Sequence, residues 1–174
     1  GVFHLAAGFR LDLPRAPLRR VVDFSLPASD GSPLAARLYC DSPEPAPVML
    51  YLHGGGFVIG SLETHDSLCR QLALRSGAAL LALDYRLAPE HPFPAGLEDA
   101  AAAYEWLLSQ GTAPGQIVVA GDSAGGNLAL ALLVRLRDLG RPLPVAAVCL
   151  SPNPDLTYSG ESWVFNAKKD VMIQ

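Results

Sequence analysis

One serine, Ser123, stands in a pattern suited to nucleophilic chemistry. It is the centre of Gly121-Asp122-Ser123-Ala124-Gly125, which has the spacing G-x-S-x-G. The apolar run 117–120 before it reads as a buried strand, and the apolar segment 124–139 after it reads as a helix. Glycines on either side allow a turn on which the serine stands clear of the backbone, because a Cβ there would collide with strand or helix. Serine is also a good helix N-cap, but strand, turn and helix in this order favour a nucleophile.

Three consecutive glycines form a second candidate element. His53-Gly54-Gly55-Gly56-Phe57 follows the apolar run 48–52, and consecutive glycines let main-chain N–H groups converge where side chains would block a substrate. Such a loop supplies oxyanion donors in hydrolases, together with the N–H of the residue after the nucleophile. We therefore assign an oxyanion hole to Gly55, Gly56 and Ala124. A plain glycine turn is the alternative, and a phosphate loop is disfavoured because no Gly-Lys-Ser/Thr follows. His53 precedes the nucleophile and reads as a hydrogen-bonding residue that orients the loop, not as a catalytic base.

The elements that must position these motifs predict an α/β fold. Two β-rich runs, 21–26 and 35–40, flank a polar break with Asp30-Gly31, a good hairpin signal. Beyond them strands alternate with helices: strands at 48–52, 78–84, 117–120 and 145–150, and helices at 64–76, 97–109 and 124–139. Alternation implies parallel pairing with helices on both faces. We predict a three-layer α/β/α sandwich with a mostly parallel sheet and an N-terminal antiparallel hairpin, in which Thr64 caps the first helix and Gly77 ends it.

The composition and charge of the chain limit the classes of function that are expected. The 174 residues are half apolar and carry a net charge of −4 with scattered Lys and Arg, which gives no reason to expect nucleic acid. No apolar run reaches membrane-spanning length, so no stable membrane insertion is expected. Cys40, Cys69 and Cys149 share no metal or redox spacing. We expect buried thiols, a cytoplasmic location and no metal.

These motifs resemble those of the hormone-sensitive-lipase (type IV) family of bacterial carboxylesterases. The resemblance runs from about Val21 to the end and is carried, in order, by His53-Gly54-Gly55-Gly56-Phe57, by the segment from Asp84-Tyr85-Arg86 to Phe93-Pro94-Ala95, by Gly121 to Asn127 and by Leu150-Ser151-Pro152. It implies hydrolysis of short-to-medium acyl esters through a serine acyl-enzyme, with a small-molecule ester as substrate and no metal or organic cofactor.

The resemblance also implies roles around the glycine loop. Segment 84–94 looks like a scaffold that braces this loop, and His91 within it is read as structural. The expected loop support is His53, Gly54, Asp122 and Tyr85.

The family's triad runs serine, Asp or Glu, then histidine along the chain, and this order is not completed after Ser123. All four histidines precede it: His4, His53, His65 and His91. The later acids do not match the family's catalytic acid: Asp138, Asp155, Glu161 and Asp170. We therefore expect residues 1–20 to be a short N-terminal arm or cap remnant. Residues 21–174 are expected to be an α/β-hydrolase core without the C-terminal strands, the catalytic acid and the histidine.

Three interpretations of the missing histidine stay open. The chain can be a piece of a longer or cleaved esterase, a truncated homologue that folds as a homo-oligomer, or a catalytically dead hydrolase-fold module that binds a small molecule. Segment 145–150 would then be an exposed apolar edge that pairs with another chain or with a C-terminal segment. We favour a carboxylic ester hydrolase whose base and acid lie outside this segment, because a binder has no need for an intact elbow and oxyanion loop together.

Overall fold

The computed structural model describes residues 14–42, 47–157 and 159–166. Its elements, in chain order, are β1 (Arg20–Pro27), β2 (Pro33–Cys40), β3 (Val48–Leu52), α1 (Asp66–Ser76), β4 (Ala79–Leu83), α2 (Ala95–Ser109), β5 (Ile117–Asp122), α3 (Ala124–Asp138), β6 (Ala146–Leu150) and α4 (Glu161–Asn166). Most of the predicted arm at 1–20 lies outside the described residues. Its last part lies against α1, where Gln71 Nε2 donates to the carbonyl of Pro14 (3.0 Å).

The first two strands form the predicted hairpin. β1 and β2 pair antiparallel over their whole length, from Arg20 opposite Cys40 to Pro27 opposite Pro33. In the turn, Asp30 Oδ1 accepts hydrogen bonds from the N–H and the hydroxyl of Ser32. Hydrogen bonds to an aspartate side chain stabilise a turn of this kind where the two strands no longer pair.

The six strands form one sheet in the order β1-β2-β4-β3-β5-β6. β2 pairs antiparallel with β4, whereas β4, β3, β5 and β6 are mutually parallel neighbours. The prediction of a mostly parallel sheet with an antiparallel hairpin at one edge is confirmed. β3 and β5 lie side by side, so their carboxyl ends meet at one edge of the sheet.

Helices cover both faces of the sheet, as predicted. One face packs Leu50, Leu52 and Val119 against side chains of α2 and α3, whereas the other packs Tyr51 and Leu80 against side chains of α1. Because successive strand residues point to opposite faces, the central strands must be apolar along their whole length. This explains the continuous apolar runs.

The start of α1 differs from the prediction. The helix begins at Asp66, and its N-cap, His65, makes no side-chain capping bond. Thr64 was predicted to cap the helix, but its Oγ1 accepts a hydrogen bond from Ser61 N–H (2.9 Å), which closes a turn before the helix. Gly77 ends the helix with φ of 69°, as predicted.

β6 is an edge strand with an open side. No strand in the described ranges pairs with its outer edge, and Val145, Val148 and Leu150 are exposed beside it. The prediction of an exposed apolar edge is therefore confirmed for the described chain.

Candidate active site

Ser123 occupies the sharp turn between β5 and α3. Its backbone has φ of 51° and ψ of −116°, a conformation that costs a non-glycine residue about 1–3 kcal/mol. The turn is held on both sides, because Ser123 N–H donates to the carbonyl of Leu150 (2.9 Å) and its own carbonyl accepts from Asn127 N–H (3.1 Å). The side chain is exposed, so the hydroxyl is open to a ligand.

Close backbone packing explains the two glycines of the elbow. A Cβ on Gly125 would lie 1.9 Å from the carbonyl oxygen of Leu52, and one on Gly121 would lie 2.4 Å from the backbone of Gly125. The start of α3 is thereby pressed against the end of β3, where the glycine loop begins. The predicted reason for glycine on either side of the serine is confirmed.

The glycine loop folds back on itself through left-handed residues. Gly55 and Gly56 have φ of 128° and 62°, and the carbonyl of Gly55 accepts from the N–H groups of Val58 and Ile59. Within residues 14–42, 47–157 and 159–166, no acceptor is bonded to the N–H groups of Gly55, Gly56 or Ala124. These three N–H groups therefore have no acceptor in the described chain, and their role as an oxyanion hole stays a prediction.

Asp122 links the elbow to the glycine loop. Its Oδ1 accepts hydrogen bonds from the hydroxyl of Tyr51 (2.6 Å) and from Gly54 N–H (2.9 Å), while its Oδ2 lies 3.6 Å from His65 Nε2. Burial alone raises the pKa of Asp122, but His65, Tyr51 and Gly54 outweigh it and hold the pKa below its ordinary value. Asp122 is thus a partly buried carboxylate that ties the turn at Ser123 to the glycine loop.

His53 is buried behind the glycine loop. Its Nδ1 lies 2.8 Å from the carbonyl of Gly54, and its ring stacks on Tyr85 at 4.3 Å between centroids. A carbonyl only accepts, so Nδ1 carries the proton. Burial lowers the pKa of His53 to about 4, and the ring is therefore neutral at pH 7. This geometry fits the predicted orienting role and not that of a base.

Segment 84–94 contacts the loop at two points. The hydroxyl of buried Tyr85 donates to the carbonyl of His53 (2.7 Å), and Ala88 N–H donates to the carbonyl of Phe57 (2.9 Å). Arg86 anchors the segment to α2 through Asp99, which is fully buried and accepts from both the backbone and the guanidinium of Arg86. The structure thus brings together all four predicted support residues: His53, Gly54, Tyr85 and Asp122.

Two residues of this network, Tyr51 and His65, were missed from the sequence. Tyr51 lies in the apolar run of β3. Its hydroxyl could have indicated a nearby polar group, because a buried tyrosine oxygen needs a hydrogen-bond partner. His65 directly precedes α1 and carried no local signal, because its contact with Asp122 depends on the packing of α1 against the sheet.

The other histidines and the later acids either make no hydrogen bond to Ser123 within the described chain or fall outside the described residues. His91, Asp138 and Glu161 are exposed. Asp155 is also exposed, and hydrogen bonds from Ser159 and Thr157 lower its pKa to about 2. His4 and Asp170 fall outside the described chain.

Two other kinds of site are absent from the described residues. No group of three or more His, Cys, Asp or Glu side chains there could hold a metal ion. No helix in that part of the chain is long and apolar enough to cross a membrane.

Comparison with known proteins agrees with this geometry. A family model described as an alpha/beta hydrolase fold matches residues 49–174. The chain belongs to the α/β-hydrolase family. Esterase LipI of Mycobacterium tuberculosis is 49% identical over 172 residues, which cover 92% of this chain and 53% of LipI. An acetyl-hydrolase of Streptomyces hygroscopicus is 51% identical over 125 residues, covering 72% of this chain and 42% of that protein.

A solved structure shows to which group of this family the chain is similar. The crystal structure of an esterase from the bacterial hormone-sensitive lipase family is 47% identical, with a TM-score of 0.78, and the match covers 89% of this α/β-hydrolase chain and 52% of that one. The predicted membership in the hormone-sensitive-lipase group of carboxylesterases is confirmed. The chain spans about half the length of the curated relatives it matches.

Proposed function

We propose that this chain carries the nucleophile and the oxyanion hole of a carboxylic ester hydrolase acting on short-to-medium acyl esters. The observation that carries the proposal is the exposed Ser123, held at φ of 51° directly before Ala124, whose N–H, like those of Gly55 and Gly56, has no acceptor among the described residues. Membership in a group of carboxylesterases supports it further.

In the proposed reaction, Ser123 Oγ attacks the ester carbonyl carbon while its proton passes to a base. The resulting oxyanion accepts hydrogen bonds from the N–H groups of Gly55, Gly56 and Ala124. The alcohol leaves with a proton, and water then hydrolyses the acyl-enzyme by the same steps. Loss of one oxyanion donor typically costs about 2.7–4 kcal/mol of transition-state stabilisation.

The base and the acid are proposed to lie outside residues 1–174. His53 is buried with Nδ1 bonded to Gly54, and His91 is exposed on another loop. The chain also spans only 53% of LipI, so the remaining part of such a relative could contain further catalytic residues. The open edge of β6 is a suitable place for a C-terminal segment that would bring them.

Covalent labelling tests the nucleophile directly. The purified full-length protein is treated with a fluorescent organophosphonate, its intact mass is measured, and turnover of p-nitrophenyl acetate is followed. We expect a mass increase of one phosphonate and measurable turnover, both lost in Ser123→Ala. The matched control is Ser109→Ala, because Ser109 is exposed at the end of α2 and its side chain bonds only to nearby residues, Trp106 and Gln110; it should keep both.

The same experiment separates the competing function. A protein that takes no label and turns over no ester contradicts the hydrolase and favours a binding module on a hydrolase fold. Label that persists in Ser123→Ala assigns the nucleophile to another residue.

A further inference from the structure

We propose that His65 is a positioning residue for the glycine loop and acts through Asp122. The inference rests on the proposed function, since the loop matters chemically only if it holds an oxyanion. It assigns a task to a side chain that neither the elbow nor the glycine motif includes.

Both nitrogens of the His65 ring have polar neighbours. Nδ1 lies 2.9 Å from Thr64 Oγ1, and Nε2 lies 3.6 Å from Asp122 Oδ2. The side chain is only 11% exposed, and its ring centroid lies 5.4 Å from that of His53. The ring is thus fixed in one orientation, with Nε2 directed at the carboxylate.

The two oxygens of Asp122 have different partners. Oδ1 accepts from Tyr51 and from Gly54 N–H, whereas in the described chain His65 alone is paired with Oδ2. Without His65, Oδ2 would lose this partner in a partly buried place. Rotation of the carboxylate toward other donors would then compete with the bonds to Oδ1.

Such a rotation would reach the oxyanion donors. A Cβ on Gly54 would lie 2.2 Å from Asp122 Oδ2, so the carboxylate lies directly against the loop backbone. Gly54 precedes Gly55 and Gly56, whose N–H groups are the proposed donors. A displacement of about 1 Å in such a group can cost up to about 100-fold in rate, and because a partial shift is expected, we expect a loss of about 10-fold.

The test uses three substitutions in the full-length protein. His65→Leu removes both polar contacts, and His65→Asn keeps a group that can reach Thr64 but is too short for Asp122. His65→Gln places an amide N–H near the position of Nε2. The control is His91→Leu, because His91 is exposed and its side chain has no partner in the described residues.

One amide signal reports the loop without any reaction. His53-Gly54 is the only His-Gly pair in the sequence, so labelling with carbonyl-13C histidine and 15N glycine gives a single HNCO peak from residues 1–174, that of Gly54. We expect this peak to move in the Leu and Asn variants, to return toward the native position in Gln, and to stay in place in the control. In parallel, kcat for p-nitrophenyl acetate should fall about 10-fold in Leu and Asn with little change in KM, and recover in Gln.

The outcomes are distinguishable. An unmoved Gly54 peak in the Asn variant overturns the inference, whatever the turnover, and so does a moved peak with native kcat. A moved peak in a protein whose native form shows no turnover dependent on Ser123 refutes the proposed function but supports the link from His65 through Asp122 to the loop. If His65→Leu fails to fold, the Asn and Gln pair gives the same decision.

Discussion

The buried His53 should make the stability of the protein depend on pH in a calculable way. Burial lowers its pKa from 6.5 to about 4 in the folded state, whereas in the unfolded chain the ordinary value applies. Between these values the unfolded chain binds a proton that the folded chain does not. Neutral His53 therefore contributes stability that is present above pH 6.5 and is lost as the pH falls toward 4.

The size of the effect follows from the two pKa values. Each pKa unit corresponds to about 1.4 kcal/mol, so the whole contribution is about 3 kcal/mol. Since the unfolded state is almost fully protonated at pH 5 and the folded state is not, about 2 kcal/mol of it should be lost between pH 7 and pH 5.

Urea unfolding at pH 7 and pH 5 measures this loss. The comparison is with His53→Asn, whose amide can donate to the carbonyl of Gly54 but does not titrate. The native protein should lose about 2 kcal/mol more than this variant over that interval. His91→Asn is the control and should behave as the native protein does, because His91 is exposed. Equal losses in the native protein and His53→Asn would refute the assignment of a buried, neutral His53.

Two substitutions test the packing that holds the elbow and segment 84–94. Gly125→Ala places a Cβ 1.9 Å from a backbone oxygen of β3 and should lower the free energy of unfolding by more than about 3 kcal/mol. In the control Gly115→Ala, the new Cβ meets nothing within 4 Å, so thermal unfolding should show no loss of stability. Asp99→Ala leaves Arg86 without its buried partner and should cost about 3 kcal/mol; Glu98→Ala, which removes a contact of 4.0 Å at the helix surface, should change stability by less than about 1 kcal/mol. Similar losses within either pair would contradict these assignments.

The parts of the fold that were predicted from the sequence depend on local signals. Asp30 and Gly31 close the hairpin through bonds within five residues, and Gly77 ends α1 by its own backbone conformation. The elbow at Ser123 combines a strand, two glycines and a helix that adjoin one another. In each case neighbours in the chain determine the geometry, so the pattern was sufficient.

The parts that could not be predicted depend on distant contacts. Thr64 has the side chain of a helix cap, but it bonds to Ser61 instead, and α1 begins two residues later. The hydroxyl of Tyr51 reaches Asp122 across 71 positions of the chain, and His65 reaches the same carboxylate from the residue just before α1. No local pattern encodes these distances, because they follow from the order in which the strands pair.

The bond between Gly54 and Asp122 also bears on how the protein folds. The two residues are 68 positions apart, so this bond to the glycine loop forms only after β5 has docked beside β3. Until then the loop lacks its link to Asp122, and closing a chain segment of this length costs entropy before any contact repays it. The arrangement proposed as an oxyanion hole is therefore expected to form late in folding, so that partly folded chains carry Ser123 without the proposed donors in place.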